Sequence, residues 1–129
     1  MNKKTKDIIK KILQHDDISD RLELLKDTYK GETCYIVSAG PSLKNIETDE
    51  LRDKLKDKLV ISIKQSFNLL KGIADFHVLN FTNFEPYDYS DSEDTMVVWE
   101  VFEQYHPQMI LDNDFKCELM LPCVGNHES

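Results

Sequence analysis

Basic residues are nearly absent from the second half of this 129-residue chain, where Lys116 is the sole lysine and there is no arginine. Residues 72–129 carry twelve Asp and Glu against that one Lys, a net charge of −11. Residues 1–71 carry fifteen basic and twelve acidic side chains, a net charge of +3, so that the whole chain has a formal charge of −8. Nucleic-acid binding relies on clustered Lys and Arg, and the one such cluster lies within residues 3–11. We therefore expect no nucleic-acid partner.

Long apolar runs and a disulfide framework are also missing. No stretch approaches the roughly 20 apolar residues that a membrane-spanning helix needs, and the charged N-terminus lacks the apolar segment of a signal peptide. The three cysteines, Cys34, Cys117 and Cys123, are odd in number and widely spaced, as is usual in a reducing compartment. These absences predict a cytoplasmic protein with no transmembrane segment. The length allows one domain or part of one.

The first 31 residues are predicted to form an N-terminal helical segment. Apolar residues recur with helical spacing over residues 8–13 and again over residues 18–29, behind an acidic break at residues 15–17. Gly31 is predicted to end the second helix as a left-handed cap. Two amphipathic helices are therefore expected before the first strand.

Short apolar runs separated by turns and helical stretches predict an α/β domain over residues 32–129. The first run, Cys34–Val37, has no polar alternation, which is typical of a strand covered on both faces, with Cys34 in the core. Thr48 or Asp49 is placed to cap a helix that runs to about Lys58. Further strands are predicted at residues 59–63, 76–80, 96–99, 109–111 and 119–121, with a short helix at residues 66–71. This alternation predicts a Rossmann-like parallel sheet of the doubly wound type with flanking helices, truncated at its C-terminus because no closing element follows Gly125.

The most specific local pattern is the turn Ser38-Ala39-Gly40-Pro41-Ser42-Leu43, directly behind the first strand. Ligands of open α/β sheets bind beyond the carboxyl ends of the strands, and a glycine there lets the backbone approach a phosphate. Ser42 adds a hydroxyl donor. The turn lacks both the G-x-G-x-x-G fingerprint and the ending of a P-loop. A tight turn without a ligand fits the same spacing equally well.

Polar side chains also follow the second and third predicted strands. Lys64 and Gln65 come directly after the second strand, and Asn80 ends the third. Because the carboxyl ends of parallel strands meet at one edge of a sheet, we expect these side chains to converge with the first turn on a phosphate or nucleotide. The alternative is that Lys64 and Gln65 are solvated loop residues and that Asn80 forms a turn.

Other candidate residues are weaker. His77 lies within a predicted strand, and we interpret it as a satisfied core residue rather than a catalyst. Five acids within residues 85–94 either hold a divalent cation or, as is commoner for a charge run, are solvated. The two tyrosines of that loop either flank a ligand or pack on their own sheet. Cys117, Cys123 and His127 lack a fourth ligand, so no metal site is predicted.

Residues 34–80 resemble the N-terminal half of the Gly-Pro-Ser-Leu superfamily. This superfamily includes bacterial sialyltransferases that use CMP-sialic acid, the motility accessory factor glycosyltransferases and archaeal-type hydroxymethylpterin pyrophosphokinases. The resemblance rests on the first strand, on Gly40-Pro41-Ser42-Leu43, on the Lys64-Gln65 ending of the second strand, and on Ala74-Asp75-Phe76 before the third.

The resemblance implies a nucleotide-binding role for the three polar turns. It implies that the turn cradles the donor phosphate and that the later residues contact the nucleotide; the candidates are Ser38, Ala39, Gly40, Pro41, Ser42, Lys64, Gln65 and Asn80. Ser38 and Ala39 replace the Gly and Asn that the sialyltransferases favour, and Lys64 stands in place of an Asn, which speaks against a cytidine nucleotide in particular. No position matches the sialyltransferase general base, so no catalytic residue is assigned.

Three functions remain open from the sequence. The first is a glycosyltransferase-like transferase domain that binds a nucleotide-activated sugar donor and requires no cofactor. The second is a pyrophosphokinase-like phosphotransferase that uses ATP and Mg²⁺, in which the acidic loop would take part. The third is a non-catalytic nucleotide-binding or interaction module whose residues 1–30 dock on a protein partner. Fold-level analogy does not separate them.

Overall fold

A five-stranded parallel sheet forms the centre of the computed structural model, which describes residues 1–41, 45–80, 86–101 and 106–122. The strands are Cys34–Val37 (β1), Leu59–Ile63 (β2), Phe76–Leu79 (β3), Met96–Val101 (β4) and Leu119–Pro122 (β5). The helices are Lys3–Ile12 (α1), Ile18–Leu25 (α2), Thr48–Leu55 (α3) and His106–Asp112 (α4), with a 3-10 helix at Lys64–Leu69. The Rossmann-like α/β class, the parallel sheet, the flanking helices and the two N-terminal helices are thereby confirmed.

The strand order is sequential, β1-β2-β3-β4-β5. A doubly wound sheet reverses its order at one point and binds its ligand in the crevice created there. Among the described strands there is no such reversal, and β1 is therefore an edge strand rather than a central one.

One face of the sheet is covered by the segments that connect its strands. Successive residues of a strand point to opposite faces, so Val60, His77 and Leu79 lie on the same side. Against that side pack Leu55 of α3 and Phe67 of the 3-10 helix. Ile110 of α4 packs further along the same face, in one cluster with residues of β3 and β4.

The opposite face is covered by the N-terminal helices. Ile8, Ile9 and Ile12 of α1 form one buried cluster with Met96 of β4, and Phe76 of β3 packs against it. The apolar stripe that predicted α1 is thus the surface that binds the sheet.

Asp75 joins α1 to the start of the sheet. Its carboxylate accepts hydrogen bonds from the backbone amides of Asn2 (2.9 Å) and Val60 (2.8 Å) and from the hydroxyl of Thr5. Burial raises the pKa of Asp75, and the hydrogen bonds from Thr5, Val60 and Asn2 oppose that shift. This residue therefore ties an N-terminal helix, β2 and β3 together at the amino edge of the sheet.

The environment of β1 differs from the prediction. Cys34, Tyr35 and Ile36 are exposed, with 62% of Ile36 open to solvent, so the expected cover on both faces and the core position of Cys34 are wrong. The physical reason is the strand order, which leaves β1 paired on one side only within the described part of the chain.

Three predictions about individual helices and strands are wrong. The second helix ends at Leu25, so Gly31, although left-handed at φ 82°, lies in the turn beyond it and is not its cap. The side chain of Glu47 caps α3 by accepting from the backbone amide of Asp49 at 2.8 Å, in place of Thr48 or Asp49. Residues 109–111, predicted as a strand, belong to α4. In the described residues, no helix is both long and apolar enough to cross a membrane.

Candidate functional site

The three polar turns, at residues 38–43, 64–65 and 80, follow three neighbouring parallel strands. Val37 pairs with Ser62 and Ile63 pairs with Val78, so the ends of β1, β2 and β3 lie at one carboxyl edge. Adjacent strands are about 4.8 Å apart, so the three turns span roughly 10 Å of that edge. The three strands that precede the polar turns therefore end at one edge of the sheet, and the convergence of the side chains on a ligand stays a prediction.

The first turn is open to solvent in its described part. Ser38, Gly40 and Pro41 are exposed and Ala39 is half-buried, whereas Ser42 and Leu43 lie outside the described residues. A Cβ added to Gly40 would meet no described atom within 4 Å, and its φ is not in the left-handed region. The described packing and the local backbone therefore do not require glycine here.

Lys64 occupies an uncommon backbone conformation. Its φ is 50°, in the left-handed region that costs a non-glycine residue free energy. Its carbonyl oxygen lies 2.9 Å from Nε2 of His77. The side chain is half-buried, and among the described residues its ammonium makes no ion pair. Gln65 beside it is exposed.

His77 is neutral and holds this turn by a hydrogen bond to the Lys64 carbonyl. Nε2 must donate to the Lys64 carbonyl, since a carbonyl oxygen only accepts, and Nδ1 therefore accepts from the hydroxyl of Tyr89 at 2.8 Å. Burial lowers the pKa of His77 to about 4. Its ring stacks on Phe67 with centroids 4.3 Å apart. Both nitrogens have partners, which agrees with the interpretation of His77 as a satisfied core residue.

Ser66 fixes the first two turns relative to each other. Its hydroxyl donates to the carbonyl oxygen of Val37, the last residue of β1, at 2.7 Å. The Oγ of Ser66 also accepts a hydrogen bond from the backbone amide of Ile63, the last residue of β2, at 2.9 Å. Ser66 and His77 thus position the backbone of the edge, a function that sequence reasoning did not assign to either.

Asn80 brings an unpaired acceptor to the edge. Its Oδ1 is buried and has no hydrogen-bond partner among the described residues. Buried polar atoms of this kind are rare in native proteins. An acceptor suits a ligand hydroxyl or N–H rather than a phosphate oxygen, which carries no proton.

Three acids of the loop that precedes β4 lie at the opposite edge of the sheet. Asp91, Glu93 and Asp94 precede β4, at the amino end of the sheet, and line a cavity of about 200 Å³ together with Met1 and Lys6. Groups of three or more potential metal ligands are absent from the described residues. Glu85, Cys123 and His127 lie outside them.

A second feature, which sequence reasoning did not find, is an aromatic cleft with a volume of about 290 Å³. It lies on the face of the sheet that carries Val60, His77 and Leu79. The lining residues are Leu79, Pro86, Tyr87, Tyr89, Trp99, Asp114, Phe115 and Lys116. The sequence marked only the two tyrosines, which pack on their own sheet as one of the two alternatives held. Trp99 and Phe115 are far apart in the chain and meet only in the fold.

Comparison with known proteins adds no relative. No family model matches the chain, and neither the curated proteins nor the solved structures include a match.

Proposed function

We propose that this protein is a glycosyltransferase-like domain that binds a nucleotide-activated sugar at the carboxyl edge of β1, β2 and β3. In this proposal the turn from Ser38 to Ser42 receives the donor phosphates. Lys64 supplies the positive charge, and Gln65 and Asn80 contact the nucleoside part. The resemblance to the Gly-Pro-Ser-Leu superfamily remains a prediction from the sequence.

The left-handed conformation of Lys64 is the observation that carries the proposal. A lysine at φ 50° costs roughly 1–2 kcal/mol that a glycine would avoid. Strain of this kind concentrates at ligand-binding and catalytic sites, where a side chain is held in place for its chemistry. Here the His77 and Ser66 hydrogen bonds hold the backbone on both sides of Lys64.

Charge and hydrogen bonding at the edge suit a nucleotide. An ammonium group without a described carboxylate partner can form charge-assisted hydrogen bonds with phosphate and offset charge on a leaving group. The Oδ1 of Asn80, which has no partner among the described residues, can accept from a ribose hydroxyl or a base N–H. The eight candidate residues are assigned to donor binding, and the general base for the acceptor is not among them.

The two alternatives receive less support. Asp91, Glu93 and Asp94 lie at the amino edge, a β-strand's length from the polar turns, so these acids do not favour the Mg²⁺-dependent pyrophosphokinase. The apolar face of α1 is buried against β4, so a protein partner docking on this helix would have to use its charged face.

Thermal unfolding with added ligands tests the proposal. The panel is pyrophosphate, CMP, UDP, GDP and ATP, each with and without Mg²⁺. We expect at least one nucleotide, and pyrophosphate more weakly, to raise Tm, because a ligand that binds only the folded state stabilises it. Lys64→Ala should abolish the shift, whereas Lys58→Ala, at the amino end of β2, should not. If no phosphate compound stabilises the wild-type protein, the proposal is wrong.

A further inference from the structure

We propose that the aromatic cleft binds a flat, uncharged heterocycle of the nucleobase type. The cleft lies between residues 86–89 and residues 114–116, and its lining includes none of Ser38, Lys64 and Gln65. Small-molecule pockets occupy about 300–1,000 Å³, so a volume near 290 Å³ suits one small ring system rather than a peptide. This inference stands independently of the phosphate-binding proposal.

Four of the eight residues that line the cleft are aromatic. Trp99 and Phe115 are stacked, with ring centroids 5.6 Å apart and planes 19° apart. Tyr87 and Tyr89 come from the facing loop, where both pack against Phe67 and His77. Trp99 is only 2% exposed, so a flat heterocycle would stack on the outer rings of the cleft, those of Phe115, Tyr87 and Tyr89.

The charges in the cleft favour an uncharged ligand. The ammonium of Lys116 lies 2.7 Å from the carboxylate of Glu118, which is buried and also accepts from the backbone amide of Val97. The single cation of the cleft is therefore already paired, and Asp114 adds a negative charge nearby. A free phosphate would meet no unpaired cation among these lining residues, whereas a neutral ring brings no charge that has to be desolvated without a partner.

Trp99 provides a direct readout, because it is the only tryptophan of the chain. Its fluorescence would be followed during titration with adenosine, guanosine, cytidine and uridine, with pyrophosphate and D-ribose as probes that lack a base. We expect a saturable change with at least one nucleoside and none with the two controls. The absence of a saturable change with every nucleoside overturns the inference, and so does an equal response to ribose.

Matched variants locate the binding. Phe115→Leu removes a ring but keeps an apolar side chain, and we expect nucleoside affinity to fall roughly 5- to 150-fold, the range measured for loss of a stacking aromatic. Leu111→Ala, on α4 and 70% exposed, should leave affinity unchanged. Calorimetric titration of the wild-type protein with pyrophosphate, which carries no base, reports on the polar turns alone, so that failure there and failure here are distinguishable. Unchanged affinity in Phe115→Leu contradicts the inference.

A measurement on the wild-type protein covers the case in which Phe115→Leu does not fold. Saturation-transfer NMR should show stronger transfer to the base protons of a bound nucleoside than to its ribose protons. Equal transfer to both, or none, would contradict stacking in the cleft.

Discussion

Replacing Lys64 with glycine and, in parallel, with alanine separates its backbone conformation from its charge. Lys64 has a φ of 50°, and every L-residue with a Cβ is strained there, whereas glycine is not. Alanine keeps the strain and removes the ammonium, and glycine removes both. The two variants therefore differ from each other in backbone strain and in the freedom of the unfolded chain, and not in charge.

The size of that difference follows from two opposing contributions. Removing the strain of the left-handed conformation stabilises the glycine variant by roughly 1–2 kcal/mol. The greater freedom of glycine in the unfolded chain destabilises it by about 0.5–1 kcal/mol. The free energy of unfolding of Lys64→Gly should therefore exceed that of Lys64→Ala by about 0.8 kcal/mol, the difference between the midpoints of these two ranges. For a chain of this size that corresponds to roughly 2–5 °C in Tm.

Urea unfolding followed by Trp99 fluorescence gives the stability of both variants, and calorimetric titration with pyrophosphate gives their affinity. Both variants should lose anion binding, and Lys64→Gly should be more stable than Lys64→Ala because the left-handed conformation costs glycine nothing. A glycine variant that is less stable than the alanine variant would refute the left-handed assignment. Retained affinity in both would refute the role of the ammonium.

Three further predictions concern the edge and its support. Gly40→Ala should change the free energy of unfolding in urea by less than about 0.5 kcal/mol, since nothing described lies within 4 Å of the added Cβ, yet weaken pyrophosphate binding. Gly31→Ala, at φ 82°, should lose about 1 kcal/mol in the same measurement. Equal losses of stability in the two variants would contradict this. His77 has a folded pKa of about 4 against 6.5 unfolded, so the unfolded chain binds more protons between these values and stability falls as the pH falls. The free energy of unfolding of the wild-type protein should thereby fall by about 3 kcal/mol between pH 7 and pH 4, a loss that His77→Gln should not show. If urea unfolding gives the two proteins the same dependence of stability on pH, this prediction is wrong. Asp75→Ala leaves two backbone amides and a hydroxyl without their acceptor, which should cost about 3 kcal/mol or more; a loss below about 1 kcal/mol in urea would show that these bonds contribute little.

The secondary structure of the chain was predictable where its pattern is local. The apolar runs at β1, β2 and β3 are short and bounded by turns, and their spacing implies parallel pairing. Exposure is different, because it depends on which strands become neighbours. The run Cys34–Val37 has the composition of a central strand but lies at an edge, and no local pattern reports strand order. Residues 109–111 are too few to show a helical period, so α4 was mistaken for a strand.

The candidate site was predictable only as far as its backbone. The position of Lys64 and Asn80 after successive strands follows from the sequence, since parallel strands share a carboxyl edge. The left-handed φ of Lys64 and the lack of a described partner for Asn80 Oδ1 do not, because both depend on tertiary structure that no local pattern reports. The aromatic cleft was missed for the same reason. Its sequence signals were the two tyrosines of the acidic loop, and nothing in the sequence linked them to Trp99 and Phe115.

Calorimetric titration of the wild-type protein, Lys64→Ala and Lys58→Ala with the nucleotide that raises Tm most tests the central claim directly. The two lysines lie at opposite ends of β2, so general electrostatic effects of losing one charge are matched. A charge-assisted hydrogen bond contributes about 1.5–3 kcal/mol, so we predict that Lys64→Ala weakens binding about 10- to 150-fold and that Lys58→Ala changes it less than twofold. Equal affinities in all three proteins would contradict nucleotide binding at the carboxyl edge of the sheet.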